Sequence, residues 1–197
     1  MAINCGNEQY HAVVIGASAG GLAAMEKVLR ELKSSFCLPI LLVQHISPNV
    51  ESYLATHFEY RSQLTVKEGE DKEPIRRGTL YIAPPNYHMM VEVDGSIALS
   101  IDPPVNYSRP SIDVLFETAA QYYGQHLIGV VLTGANSDGA QGLARIKQKG
   151  GIAVVQSIES AEAQAMPQAA IEAVEVDHIV PIEQMGDFLN SLCECEK

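Results

Sequence analysis

Residues 13–21 constrain the fold more than any other stretch, because an apolar run there meets a serine set between glycines. The run at 11–15 has no polar alternation, which is typical of a strand buried on both faces of a parallel sheet. From Gly21 onward apolar residues recur at helical spacing, and Glu26 and Arg30 are placed to pair on another face. A strand that turns through glycines directly into a helix predicts one βα unit.

Strands and helices alternate in the same way along much of the chain. Ser111 stands in an N-cap position before an amphipathic segment, and Gly150 and Gly151 give a helix stop signal. Such alternation predicts a parallel sheet covered by helices. The remaining predicted strands are 40–43, 64–66, 79–83, 88–93, 96–101, 127–132, 152–156 and 178–180, and the predicted helices are 50–58, 140–149, 167–173 and 182–192, with two more that follow Gly21 and Ser111.

One part of the chain departs from this alternation. The predicted strands 88–93 and 96–101 flank Asp94-Gly95, a strong two-residue hairpin turn. Antiparallel strands therefore stand where an α/β fold usually carries a crossover helix. We predict an α/β fold of three layers, with a doubly wound, mostly parallel sheet in which a β-hairpin replaces one crossover helix.

Length and charge narrow the function classes. A chain of 197 residues favours one compact domain, placed at 11–192 between a leader (1–10) and a tail (193–197). The net charge of −11 argues against a nucleic-acid partner. No apolar run approaches the roughly 18 residues of a membrane span, and no signal peptide is indicated. We therefore expect a cytoplasmic protein without direct membrane insertion. The four cysteines form no C-x-x-C pair, so no zinc or redox motif is suggested.

The glycine-rich turn admits competing interpretations. A dinucleotide-binding turn needs three glycines, but the three positions hold Gly16, Ser18 and Gly21. It also needs an acidic residue after the second strand, where the sequence has Gln44-His45, so this interpretation is weak. A nucleophile elbow, G-x-S-x-G between strand and helix, would expose Ser18 above the sheet edge. A structural turn in which Ser18 caps the helix fits the same residues.

Two further polar residues follow predicted strands at the same edge of the sheet. His45 follows the second strand, and Asp138 follows the strand 127–132. Functional groups of open parallel sheets collect at this edge, so Ser18, His45 and Asp138 can form a nucleophile, a base and an orienting carboxylate. The structural alternatives are a hydrogen-bonded edge histidine and an aspartate that caps the helix at Ala140. His88, in the hairpin, can lie near the same edge.

Six short segments stand in a characteristic order: IGASAGG at 15–21, VQHI at 43–46, YIAPPNYH at 81–88, RPSIDVLF at 109–116, VLTG at 131–134 with DGA at 138–140, and MP at 166–167. Several segments in one order are more specific than any one alone. On them the chain resembles, over about residues 11–192, the catalytic domain of the CheB family of chemotaxis protein-glutamate methylesterases.

The resemblance implies a function as well as a fold. The catalytic residues of the family fall on Ser18, His45 and Asp138. The implied reaction is hydrolysis of glutamate γ-methyl esters on the cytoplasmic helices of chemoreceptors, with no metal or organic cofactor. Since ten residues precede the first predicted strand, we expect regulation by a separate regulatory or receiver protein rather than by a receiver domain in cis. The oxyanion or substrate-binding groups are sought among Ala19, Gly20, Gly134, Ala135, Asn136 and His88.

Three departures from the family pattern keep other functions open. Ala19 stands where members commonly have Thr, Ala135-Asn136 where they have Met-Gly, and Ala165 where they have Gly. None removes a member of the triad. The alternatives are deamidation of receptor glutamines, hydrolysis of a different ester, and a non-catalytic regulatory or receptor-binding module.

Overall fold

A computed structural model describes residues 9–46 and 53–193 of the chain. Its strands are β1 (Ala12–Ala17), β2 (Ile40–Gln44), β3 (Thr65–Glu68), β4 (Thr79–Ile82), β5 (His88–Val91), β6 (Ile97–Ser100), β7 (Leu127–Val131), β8 (Ile152–Gln156) and β9 (His178–Val180). Its α-helices are α1 (Gly21–Glu31), α2 (Leu54–Glu59), α3 (Ile112–Tyr123), α4 (Ala140–Gln148), α5 (Ala165–Ala173) and α6 (Met185–Leu192).

Seven of the strands form one parallel sheet in the order β3-β4-β2-β1-β7-β8-β9. Strand β1 is central, and every residue in it is buried. One side of the sheet packs against α1, α2 and α6, and the other packs against α3, α4, α5 and the hairpin. The predicted three-layer, doubly wound fold is therefore confirmed. No helix within the described ranges is long and apolar enough to cross a membrane.

The predicted hairpin is present as a separate two-stranded antiparallel sheet of β5 and β6. Strands β3 and β4 are parallel neighbours, yet the segment 69–78 that joins them contains no helix. The hairpin covers this connection: the Ile97 carbonyl accepts a hydrogen bond from the Lys72 N–H at 2.7 Å, and the Ile97 N–H donates to the Glu73 carbonyl at 2.9 Å. It thus takes the place of the missing crossover helix, although it follows β4 in the chain.

Several predicted boundaries need correction. The hairpin connection is wider than two residues, since β5 ends at Val91 and β6 begins at Ile97. The helix predicted at 182–192 is divided into a 3₁₀ turn and α6, and the helix predicted from 167 begins at Ala165. Residues 50–52 of another predicted helix lie outside the described residues. So do 1–8 of the predicted leader and 194–197 of the predicted tail.

The ends of the described chain are packed into the domain. The Tyr10 side chain is buried in the core. At the other end the buried Cys193 has its Sγ 3.2 Å from the Sγ of Cys37, in the connection between α1 and β2. Both of these terminal residues therefore contribute to the core, although the sequence prediction placed them in the leader and the tail.

Candidate active site

The sheet order brings the three candidate residues to one place. Strand β1 lies between β2 and β7, with Ala17 paired to Gln44 and Gly16 paired to Val131. The chain therefore leaves these three strands at the same edge, where an open parallel sheet usually carries its site. Ser18 follows β1, His45 follows β2, and Asp138 lies in the connection from β7 to α4.

The three side chains form a continuous hydrogen-bonded line. The Nδ1 atom of His45 lies 3.3 Å from Ser18 Oγ, and its Nε2 atom lies 2.9 Å from Asp138 Oδ2. A carboxylate only accepts hydrogen bonds, so the proton of the neutral imidazole belongs on Nε2 and the lone pair on Nδ1. His45 is thus oriented as a base toward the Ser18 hydroxyl. Asp138 is completely buried, whereas Ser18 is accessible from solvent.

Asp138 is held by the start of α3. The Ile112 N–H donates to its Oδ2 at 2.7 Å, and the Asp113 N–H and Ser111 Oγ–H donate to its Oδ1 at 3.1 and 2.9 Å. Burial acts to raise the pKa of Asp138, but the hydrogen bonds from His45, from these N–H groups and from Asn106 outweigh it and lower the pKa below its ordinary value. Asp138 is therefore a carboxylate around neutral pH.

These contacts correct two capping predictions. Asp138 caps α3, not the helix at Ala140 that follows it in the chain; the N-cap position of that helix is Gly139, which has no side chain. Ser111 does occupy the N-cap position of α3, but its side chain makes no capping hydrogen bond. Its hydroxyl donates to Asp138 Oδ1 instead.

A second buried carboxylate, Asp113, lies behind Asp138. Its Oδ1 accepts hydrogen bonds from the N–H groups of Gly139 and Gly142 at 3.0 and 2.7 Å, which are at the start of α4. Between the two carboxylates, Asn106 Nδ2 lies 2.7 Å from Asp113 Oδ2 and 3.2 Å from Asp138 Oδ1. Burial, with a further contribution from the Asp138 charge, raises the pKa of Asp113 above its ordinary value.

The serine turn is fixed by groups from β2 and from the connection that follows β7. The Ser18 N–H donates to the Thr133 carbonyl at 3.0 Å, and Thr133 Oγ1 donates to the Ala19 carbonyl at 2.9 Å. Gln44 Nε2 donates to the Ser18 carbonyl at 2.9 Å. Gly20 has φ +76°, a left-handed conformation that favours glycine. The backbone around the nucleophile candidate is thus held before any substrate arrives.

The other predicted site residues differ in whether their backbone N–H groups already have an acceptor. The Gly134 N–H already donates to the Ala163 carbonyl at 3.0 Å, so it is not free for an oxyanion. Within residues 9–46 and 53–193, we find no acceptor for the N–H groups of Ala19, Gly20 and Ala135, which lie in the connections after β1 and β7. Asn136 lies beside His45, with its Nδ2 at 3.5 Å from Nδ1 of the imidazole.

His88 is placed behind the cleft. Its side chain is buried, its Nδ1 accepts the Ser111 N–H at 3.2 Å, and its Nε2 lies 3.2 Å from the Pro103 carbonyl oxygen. Both ring nitrogens are therefore used to hold the backbone that leads into α3. His88 supports the site from behind and does not face the position of a substrate.

Sequence reasoning missed the supporting residues Asn106, Asp113 and Thr133. Asp113 was visible as an acidic residue in the first turn of a helix, a position with an ordinary local explanation. Thr133 directly follows a buried strand. Only the packing of α3 on α4 shows that Asp113 and Asn106 belong to the site.

An open cavity of about 220 Å³ adjoins the triad. It can receive a segment of substrate next to the imidazole. Among the described residues, no group of three His, Cys, Asp or Glu side chains is arranged to hold a metal ion. The cavity is lined by His45, Ile46, Asn86, Pro104, Tyr107, Ser108, Arg109 and Pro110.

Comparisons with known proteins identify the family of the chain. Residues 13–189 match the family model described as CheB methylesterase. A Leptospira interrogans protein, provisionally named protein-glutamate methylesterase/protein-glutamine glutaminase, is 50% identical over 179 residues, which are 91% of this chain and 93% of the relative. A Clostridium acetobutylicum protein of the same name is 36% identical over 181 residues, 92% of this chain but 52% of the relative, so the chain spans about half of that protein.

A solved structure gives the same result. The catalytic domain of the Thermotoga maritima CheB methylesterase superposes with a TM-score of 0.89 at 33% identity, covering 93% of this chain and 98% of that chain. The chain belongs to the CheB methylesterase family.

Proposed function

We propose that this chain is a serine hydrolase that removes the methyl group from glutamate γ-methyl esters on chemoreceptors. The observation that carries the proposal is the Ser18–His45–Asp138 line at the sheet edge, with distances of 3.3 and 2.9 Å. The family membership and the names of the relatives support it. The reaction needs a nucleophile, a base and an orienting carboxylate, and these are the three roles that the geometry offers.

The reaction proceeds through an acyl-enzyme. Nδ1 of His45 takes the Ser18 proton while Oγ bonds to the γ-carbonyl carbon. The carbon–methoxy bond then breaks, its electron pair stays on the methoxy oxygen, and that oxygen takes the proton from Nδ1 and leaves as methanol. Water attacks the acyl carbon and gives one proton to Nδ1. The bond between that carbon and Oγ then breaks, Oγ takes the proton from Nδ1, and the glutamate side chain releases the second proton of the water to solvent as a carboxylate. Asp138 keeps the Nε2 proton in place throughout.

The oxyanion of both tetrahedral stages requires donors beside Ser18. The N–H groups of Ala19, Gly20 and Ala135 lie in the connections after β1 and β7 and have no acceptor within the described part of the chain. Such fixed donors stabilise the charge that develops in the transition state. Every step uses side chains and backbone groups of this chain, and no cofactor enters the proposal.

The substrate is inferred from the family and from the names of the relatives. We infer that it is a methylated cytoplasmic helix of a chemoreceptor and that the protein works in the cytoplasm. A second activity, deamidation of receptor glutamine, is favoured by the double name of the relatives. It uses the same acyl-enzyme and releases ammonia in place of methanol.

The test is methanol release from a methylated receptor fragment. Ser18→Ala is expected to lower turnover by about 10⁴-fold, as loss of a triad nucleophile does elsewhere. The matched control is Ser137→Ala, an exposed serine in the adjacent connection, which should keep the wild-type rate. If a folded Ser18→Ala variant releases methanol at a near-normal rate, Ser18 is not the nucleophile. Receptor binding without turnover in the wild type would identify a non-catalytic module.

A further inference from the structure

The carboxamide of Asn136 lies beside the triad in a fixed orientation. Its Oδ1 accepts the Asp138 N–H at 3.1 Å, so this oxygen is turned away from the imidazole. Its Nδ2, a pure donor, is consequently on the side of His45, at 3.5 Å from Nδ1. Asn136 is partly exposed, and its Nδ2 stands beside the same ring nitrogen as the Ser18 hydroxyl.

Two donors therefore approach the same lone pair. Nδ1 of His45 has Ser18 Oγ at 3.3 Å and Asn136 Nδ2 at 3.5 Å. When the leaving group departs, its heavy atom takes the proton from Nδ1 and must come within hydrogen-bonding distance of that atom. An atom in that position is also next to Nδ2. The Asn136 amide thus meets the leaving group, whichever group the substrate carries.

The two candidate leaving groups differ in what they offer to a donor. A methoxy oxygen has two lone pairs, so it can take the proton from Nδ1 and accept a hydrogen bond from Nδ2. The –NH₂ group of a glutamine amide presents N–H bonds, and a donor then faces a donor. If the Asn136 carboxamide rotated by half a turn, Oδ1 would face the leaving group and could accept a hydrogen bond from it. That orientation would, however, place the Nδ2 donor against the Asp138 N–H, which is also a donor.

We propose that Asn136 is a specificity-determining residue that favours the methyl ester of glutamate over the glutamine amide at this site. The inference rests on the proposed function, since it concerns the two reactions assigned there to one acyl-enzyme. A site built to hydrogen-bond one group rejects the analogue that leaves its donor unpaired.

The test compares methanol release with ammonia release from receptor fragments that carry the ester or the amide at the same position. Asn136→Asp is the sharpest variant, because the new carboxylate can keep the Asp138 N–H contact and replaces the donor by an acceptor. One hydrogen bond of this kind is worth about 2- to 12-fold in rate, and the variant loses one with the ester and gains one with the amide. The ester-to-amide ratio of kcat/KM should therefore fall by at least about 4-fold. Asn136→Ala should give an intermediate ratio.

Two controls separate this effect from charge and from protonation. Ser137→Asp adds the same charge at the next, exposed residue and should leave the ratio unchanged. Both rates are read on the plateau of each variant's pH–rate profile. An unchanged ratio in Asn136→Asp, or an equal fall in Ser137→Asp, would overturn the role of Asn136. Wild-type protein that releases neither methanol nor ammonia would overturn the proposed function, and the specificity proposal with it.

Discussion

Asp113 and Asp138 each cap the helix that begins beside the other. Asp138, which precedes α4, accepts the Ile112 and Asp113 N–H groups at the start of α3. Asp113, in α3, accepts the Gly139 and Gly142 N–H groups at the start of α4. A helix N-terminus favours a negative charge, so each carboxylate is stabilised by a helix dipole. These contacts connect α3 to α4 and also hold the Asp138 carboxylate beside His45.

The raised pKa of Asp113 predicts a pH-dependent stability difference. Its charged form is disfavoured in the fold, so wild-type protein loses stability as pH rises from the ordinary aspartate value through the raised folded pKa. Asp113→Asn has no such titration. Measured by urea unfolding between about pH 4 and pH 7, the unfolding free energy of the wild type minus that of the variant should fall as pH rises. A difference that grows with pH would contradict this.

Asn106→Gly should weaken the pair of carboxylates without straining the backbone. Asn106 has φ +50°, which glycine adopts freely, and its amide contacts both Asp113 and Asp138. We expect a loss of about 1–3 kcal/mol in unfolding free energy, together with lower kcat. Tyr107→Gly is the matched control, since Tyr107 has φ +61° and a fully exposed side chain. It should change unfolding free energy by less than about 0.5 kcal/mol.

Gly16→Ala should displace the start of α3. A Cβ atom there would lie 2.4 Å from Ile112 Cγ2, closer than packed atoms allow. Overpacking of this kind costs about 1–3 kcal/mol in unfolding free energy, and the displaced Ile112 N–H would weaken the hold on Asp138. The double variant with Ile112→Ala makes room for the new methyl group. In a double-mutant cycle, the double variant should therefore lose less unfolding free energy than the sum of the losses in the two single variants. Losses that simply add would contradict the contact between the new methyl group and Ile112.

Thr133→Val should loosen the serine turn. The variant keeps the side-chain shape but leaves the Ala19 carbonyl and the Ala163 N–H without their Oγ1 partner. Both hydrogen bonds are only partly buried, so the loss of each costs about 0.5–1.5 kcal/mol, and kcat should fall by about 10-fold with little change in KM. Thr65→Val, on the exposed face of β3, is the control and should keep both values. Equal behaviour of the two variants would show that Thr133 does not position the turn.

The position of the triad residues was predictable because it depends on few facts. Ser18, His45 and Asp138 each follow a strand whose apolar run is visible in the sequence, and parallel strands end at one edge. Nothing about side-chain packing enters that inference. The three-layer fold was predictable for the same reason, since strands and helices alternate along most of the chain.

The contacts that hold the site residues in place could not be predicted from local sequence rules. Local capping rules assign Ser111 to α3 and Asp138 to α4, but each side chain makes a contact set by the packing of the two helices. His88 was expected near the cleft, and the hairpin instead places it in the interior. The Gly134 N–H donates to the carbonyl of Ala163, which lies 29 residues further along the chain. Such pairings join segments that the sequence gives no reason to associate.

The structural role of Asp138 affects how relatives of this chain diverge. Its carboxylate holds the start of α3, so its loss would reduce stability whether or not the protein catalyses a reaction. The Ser18 hydroxyl, by contrast, contacts only His45 among the described residues. A descendant that abandoned catalysis would keep the aspartate under selection for folding and would be free to change the serine. In a comparison of family members, the serine therefore reports on activity, while the aspartate reports on the fold.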